Sequence, residues 1–339
     1  MRMLQIGQTV KEVQGIRADA VPPEILTSTK PLLLKGLIAD WPFVKAGRES
    51  ASAAAQYLLK FYSNTPVGVG CGPPENSGRF FYNDDMSGFN FDREMVKLDQ
   101  VLTEILRYEH VDEAPSYYVG STKIDTCLPG FRAENDVDFG GITPLANFWL
   151  GNRSRIAAHW DLPDNLACCA VGRRRFTLFP PEELENLYVG PLHITPSGQE
   201  ISLVDFHNPD FDKYPRFREA LKNAQVAEME PGDVLFIPSM WWHHVEGLDS
   251  FNVLINYWWR ESPNYMSTPV NALNLALLTI RDLPPEQRKV WHDIFQYYVF
   301  EADDSTVEHI PERVRGPLGA IDEQIARKLR ADLLNKLNR

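Results

Sequence analysis

His159, Trp160 and Asp161 lie at the end of a strand-like run, RIAAHW, that starts at Arg155. In an extended chain, residues i and i+2 point to the same face, so this imidazole and carboxylate converge on one point. Joined by one distant histidine, such a pair makes the 2-His-1-carboxylate set that holds Fe(II) on one face and leaves other positions open. The open positions suit a bidentate co-substrate and dioxygen. Composition alone, with 8 histidines and 46 acidic residues in 339, yields about one His-x-Asp/Glu by chance. Three occur: His110–Asp112, His159–Asp161 and His244–Glu246. The first sits in the polar stretch RYEHVDEAPS and reads as surface. The second follows an apolar run and precedes the turn DLPDN, which is the context a ligand pair needs.

The distant ligand is sought in PGDVLFIPSMWWHHVEGL, Pro231 to Leu248. PGD reads as a turn, DVLFIP as a buried strand, and WWHH sets two imidazoles beside Trp241 and Trp242. The strand FNVLINYWW follows a few residues later, so the segment reads as a hairpin able to carry a ligand to the facing wall of a barrel. In an extended segment His243 and His244 face opposite ways. Spacing leaves open which of the two faces inward, and a purely structural role as hydrogen-bonded packing partners of the two tryptophans is the competing reading.

These residues need a scaffold of strands. Between Ser116 and Trp259 the runs SYYVG, ANFWLG, RIAAHW, NLACCAV, RFTLF, DVLFIP and FNVLINYWW are short, apolar and often bounded by Pro or Gly, the pattern of a β-sandwich or barrel. Leu32–Leu37 reads as an earlier strand. Ser50–Tyr62 and Phe91–Tyr108 carry apolar residues at helical spacing. After about Glu261 the texture turns helical, over Asn271–Arg281, Pro285–Glu301 and Leu318–Leu337. These helices cap the core or pair with a second copy of the chain.

Lys plus Arg is 34 against 46 Asp plus Glu, a formal charge of −12. That balance disfavours broad binding to nucleic-acid backbones. The four cysteines, Cys71, Cys127, Cys168 and Cys169, have neither the spacing of a disulfide framework nor that of a zinc site. No run approaches the roughly 20 apolar residues that span a bilayer. The first residues carry no secretory pattern. The expectation is a soluble, cytoplasmic protein without membrane partners.

The ordered set LLLKGLIADWP, HWD, GRRRFTLFPP, PGDVLFIPSMWWHHVE and NYWW resembles the JmjC or cupin-like oxygenases, nearest to the branch that includes the asparaginyl hydroxylase inhibiting hypoxia-inducible factor. The resemblance covers about Pro31 to Arg260. It implies a mainly β fold, a double-stranded β-helix or jelly roll, with flanking helices. The implied division is a cupin-like domain over 1–265 and a helical segment over 266–339 that makes a homodimer. It implies Fe(II) held by His159, Asp161 and His243, with 2-oxoglutarate as co-substrate. His244 is then turned outward or stands behind the ligands.

By the same resemblance Arg174 grips the far carboxylate of 2-oxoglutarate, a task suited to a bidentate guanidinium. Arg173 and Arg175 read as a solvated edge. Tyr118 assists the grip, Asn165 and Asn256 line the co-substrate pocket, and Trp258 walls it. One departure stands out: the hydroxyl residue expected three positions before the first ligand is Ile156 here. The implied activity is hydroxylation of a protein or peptide side chain. A small metabolite substrate, an RNA base, or a non-catalytic cupin-fold ligand-binding protein are the alternatives.

Overall fold

The computed structural model describes Leu4 and residues 6–338. The chain divides into two compact units, Met1–Arg260 and Glu261–Arg339. The first unit opens with seven strands: β1 (Gln8–Thr9), β2 (Lys11–Val13), β3 (Leu32–Leu34), β4 (Val67–Gly72), β5 (Arg79–Phe80), β6 (Asp92–Val96) and β7 (Ser116–Lys123). Eight more follow: β8 (Leu145–Gly151), β9 (Ser154–His159), β10 (Asp164–Val171), β11 (Arg174–Phe179), β12 (Gln225–Met229), β13 (Val234–Ile237), β14 (Trp242–Gly247) and β15 (Asn252–Trp259).

These last eight strands form the double-stranded β-helix. Four of them, in the order β12-β11-β14-β9, lie in one sheet; the other four, β13-β10-β15-β8, lie in the second. The chain passes from sheet to sheet along most of its course, so neighbours in sequence face each other across the core. The earlier strands widen both sheets. β2 and β3 extend the larger sheet beyond β13, and β7, β4 and β6 extend it beyond β8. β1 and β5 lie at the two edges of the smaller sheet.

Alternation along the strands explains their composition. On β10, Leu166, Cys168 and Ala170 belong to a large core that also holds Phe43, Val44, Ala54, Leu58 and Leu102 of the N-terminal helices. Ala167 and Cys169 of the same strand face the inter-sheet core with Phe176, Leu178, Leu235 and Leu254. A strand buried on both faces reads as a continuous apolar run, as NLACCAV does. Gly172 turns β10 into β11 with φ +70, and a Cβ there would meet the Phe251 carbonyl oxygen at 2.4 Å. Only glycine meets both demands. Asp233, in the PGD turn, binds the Lys35 ammonium and accepts from the Gly36 amide at 2.9 Å, tying β3 to the start of β13.

Two sequence expectations change. The helical spacing over Phe91–Tyr108 splits: residues Asp92–Val96 pair with β4 as β6, and the helix runs only over Leu98–Arg107. Pairing with a strand distant in sequence overrides the local period there. The expected strand Leu32–Leu37 ends at Leu34, where Gly36 turns the chain at φ +70.

The second unit contains helices over Pro269–Thr279, Pro285–Phe295 and Glu323–Leu337. A π-helical turn, Gln296–Phe300, prolongs the second of these. Among the described residues no helix is long and apolar enough to cross a membrane.

Candidate metal centre

The backbone register brings the ligand residues together. β9 and β14 are antiparallel neighbours with His159 directly opposite His243. Asp161 follows β9 by two residues, and its carbonyl accepts from the Met240 amide at 2.9 Å. The Asp164 carboxylate accepts from the Ser239 amide at 2.9 Å, and the Ser239 hydroxyl donates to the Leu162 carbonyl at 2.6 Å. The turn after the first two ligands is thus stitched to the turn before the third.

A ligand atom from each of His159, Asp161 and His243 lies within 4.8 Å of the others. The imidazole centroids are 4.4 Å apart, and His243 Nε2 is 3.6 Å from Asp161 Oδ2. Each ring is oriented by its own backbone: His159 Nδ1 donates to the Ala157 carbonyl and His243 Nδ1 to the Trp241 carbonyl, both at 2.9 Å. Holding the proton on Nδ1 leaves the Nε2 lone pair for a cation, the usual arrangement behind metal-bound histidine. Burial pushes His243 down to about 4, so the ring is neutral at pH 7, as a ligand must be. The donor set of two imidazoles and one carboxylate fits a divalent transition metal such as Fe(II) with open positions.

Which tandem histidine faces inward is decided by β14. His243 borders the cavity, whereas His244 stacks on Phe206, rings 4.5 Å apart, on the other side of the sheet. There its Nδ1 lies 3.8 Å from Glu246, which also binds His207.

The three ligand residues open into a cavity of about 500 Å³ between the sheets. Arg174, Tyr118, Asn165, Asn256 and Trp258 all line it. Arg174 is only 1% exposed. Its Nε has no hydrogen-bond partner, and no carboxylate pairs with it among the described residues. A buried unpaired guanidinium is costly unless a ligand brings an anion to it. The flanking arginines behave differently. Arg173 is exposed and bound to Asp249 at 2.7 Å, and Arg175 pairs with Glu228 at 3.1 Å. Desolvation pushes the Tyr118 hydroxyl up to about 12, so it remains a proton donor beside that guanidinium.

The amides form a short relay. Asn256 donates to Asn165 Oδ1 at 3.3 Å and accepts from the Trp149 indole at 2.8 Å. Trp258 Nε1, buried at the same wall, has no hydrogen-bond partner among the described residues. Trp149 lines the cavity too, and the sequence offers no signal for it beyond its place in the strand run ANFWLG. Ile156 lines the cavity with Phe176, Val245 and Leu254, so that wall is apolar where a hydroxyl was expected.

A family model described as a cupin-like domain matches residues 18–265. The chain belongs to the cupin-like family. Within it, the human tRNA wybutosine-synthesizing protein 5 is 32% identical over 316 residues, 82% of this chain and 91% of that protein. Lysine-specific demethylase 8 of Xenopus tropicalis is 28% identical over 69% of this chain and 49% of its own length. Lysine-specific demethylase JMJ31 of Arabidopsis thaliana is 37% identical over 122 residues, 36% of this chain and 21% of that protein. Both demethylase matches thus span less than half of those relatives' lengths. The names of these three relatives cover a tRNA wybutosine-synthesizing protein and two lysine-specific demethylases, and the cupin-like domain here holds the candidate His159–Asp161–His243 set on the wall of its inter-sheet cavity.

Proposed function

We propose that the protein is an Fe(II)- and 2-oxoglutarate-dependent dioxygenase that hydroxylates a C–H bond, with a protein or peptide side chain as first substrate class. The observation that carries this reading is the pairing of an oriented His159–Asp161–His243 set with a buried Arg174 that has no carboxylate partner among the described residues, in one cavity. An iron bound at the triad would supply oxidation of the substrate by dioxygen, coupled to conversion of 2-oxoglutarate into succinate and CO2.

The protein's own residues orient and exclude. Arg174 and Tyr118 bind the far carboxylate of the co-substrate, the first as a bidentate charge and the second as a neutral donor. Asn165 and Asn256 line the path between that end and the triad. Ile156, Phe176, Val245 and Leu254 keep water from the middle of the cavity. With Ile156 in place of a hydroxyl, the far carboxylate depends on Arg174 and Tyr118 alone.

The near full-length match to a tRNA wybutosine-synthesizing protein favours a second reading, in which the oxidised carbon belongs to a modified tRNA base. The formal charge of −12 weighs against wide contact with the tRNA backbone. Succinate release from 2-oxoglutarate with Fe(II), compared with His159→Ala, tests the activity. Mass spectrometry for a gain of one oxygen in peptides or in total tRNA separates the two substrates. No succinate and no 2-oxoglutarate binding by the wild type would leave a non-catalytic cupin-like binding protein.

The second unit is read as a dimerisation element. Leu278, Val290, Val299 and Phe300 are between 57% and 78% exposed there, which is much for large apolar side chains. Sedimentation of the full chain should give twice the 38.7 kDa mass, and Val299→Glu with Phe300→Glu should return it to a monomer.

A further inference from the structure

The segment between Val189 and Ser202 forms a braced loop whose tip reaches the cavity. Its neck is a short ladder: the Gly190 amide donates to Ile201 O at 2.9 Å and the Leu203 amide to Tyr188 O at 3.0 Å. Its tip is closed internally by Thr195, whose hydroxyl binds Gln199 O and accepts from the Ser197 amide. Gly198 makes the turn with φ +83. The neck is held by these backbone bonds, whereas the tip turn rests on the Thr195 side chain, whose 3.3 Å contact with the Ser197 amide is long.

Four bonds tie this loop to its surroundings, the first from Tyr82, whose hydroxyl donates to Ile194 O at 2.7 Å in a partly buried contact. The Ser202 amide donates to Ala158 O at 2.7 Å, next to ligand His159. The indole of Trp160, between the ligands His159 and Asp161, donates to Glu200 at 3.1 Å. At the far end Arg93 of β6 donates to Pro196 O at 3.0 Å. Pro196, Ser197, Arg93, Glu94 and Met95 all line the cavity, and the three β6 residues are exposed, so this is its mouth. The Arg93 guanidinium lies 4.7 Å over Phe89 and 5.4 Å over Phe91, which fixes its direction.

We propose that the turn 195–199 is a strap across the mouth of the cavity, latched by Arg93 at Pro196 and hinged at Ile194 through Tyr82 and at Glu200 through Trp160, and that Arg93 is the positioning residue which sets access of the prime substrate. The asymmetry of the two ends supports this. The hinge bonds are partly buried, whereas the latch is a single hydrogen bond in solvent, so the latch opens first. Release of Arg93 widens the mouth without disturbing Arg174 or Tyr118 at the deep end. The catalytic consequence rests on the oxygenase reading; the mechanical one does not.

The test is hydrogen–deuterium exchange on the full chain loaded with Mn(II) and N-oxalylglycine, in the wild type, Arg93→Ala and Arg93→Lys. In Arg93→Ala the Ser197 amide should exchange about threefold faster, with the Gly190 and Leu203 amides unchanged, an opening of the size one exposed hydrogen bond resists. Arg93→Lys, which keeps a cationic donor, should restore most of the protection. In parallel, Arg93→Ala should raise succinate release in the absence of a prime substrate while leaving the KM for 2-oxoglutarate unchanged. Equal exchange at Ser197 in the wild type and Arg93→Ala would overturn the latch. Succinate release absent from the wild type would instead sink the oxygenase reading, and the exchange data would still decide the strap.

Discussion

Replacing Arg174 with Met separates the two costs that the fold places on this residue. The side chain is 1% exposed, its Nε has no partner among the described residues, and Ile156, Phe176, Val245 and Leu254 share its cavity. Methionine fills similar space without charge. Removing an uncompensated buried charge stabilises a protein by roughly 1–4 kcal/mol when the replacement packs. For a unit of this size that corresponds to a rise of a few degrees in Tm, about 2–4 °C per kcal/mol. Binding moves the opposite way. Two charge-assisted hydrogen bonds to a carboxylate, each about 1.5–3 kcal/mol, are lost together. The affinity for 2-oxoglutarate should therefore fall by a factor on the order of 10² to 10⁴. Scanning fluorimetry of the metal-free protein and titration calorimetry with Mn(II) present read the two effects separately. A metal-free variant less stable than the wild type, or one that binds 2-oxoglutarate within threefold of it, would refute the placement of Arg174 as a charge awaiting its anion.

Other expectations follow from the same geometry. His243→Ala should abolish Mn(II) binding, while His244→Ala should keep it within about threefold and instead lower stability by about 2 kcal/mol, since the lost contact is the stack on Phe206; isothermal titration and chemical denaturation distinguish them. Burial holds both His243 and His244 at about 4 in the folded chain against an ordinary value near 6.5. Their folded values are lowered, so the unfolded chain binds protons first as the pH falls. Metal-free stability should be full above pH 6.5 and decline by a few kcal/mol toward pH 4, as urea midpoints across that range would report. Trp149→Phe removes the donor that orients Asn256 at 2.8 Å, and should weaken 2-oxoglutarate binding about three- to tenfold with little loss of Tm. Gly151→Ala would place a Cβ 2.4 Å from the Tyr117 carbonyl oxygen, and should cost at least 2 kcal/mol by forcing β7 from β8, measurable by denaturant unfolding.

Much of the site was legible as spacing. His-x-Asp at the end of an apolar strand places two donors on one face through period two alone, and the seven strand runs from SYYVG to FNVLINYWW match β7 to β15 apart from β12 and β14. The middle arginine of GRRRF came from the family resemblance and not from spacing; in the structure Arg174 and Phe176 both line the cavity. β12 was missed: QVAEM is short and its outward residues are polar, so no local signal sets it apart. β6 was hidden inside a helical period because its pairing with β4 joins residues far apart in sequence.

The local chemistry therefore came from the chain: an alternating pattern determines which side chains of one strand agree with each other, and that pattern is written in adjacent residues. Spacing left His243 and His244 open, and the side of the sheet each takes, the absence among the described residues of a counter-charge beside Arg174, the turn of Trp149 onto Asn256 and the reach of Arg93 to Pro196 belong to the tertiary structure. Each depends on the register between strands or loops that are distant in sequence, and a shift of one residue in that register exchanges the two faces of a strand.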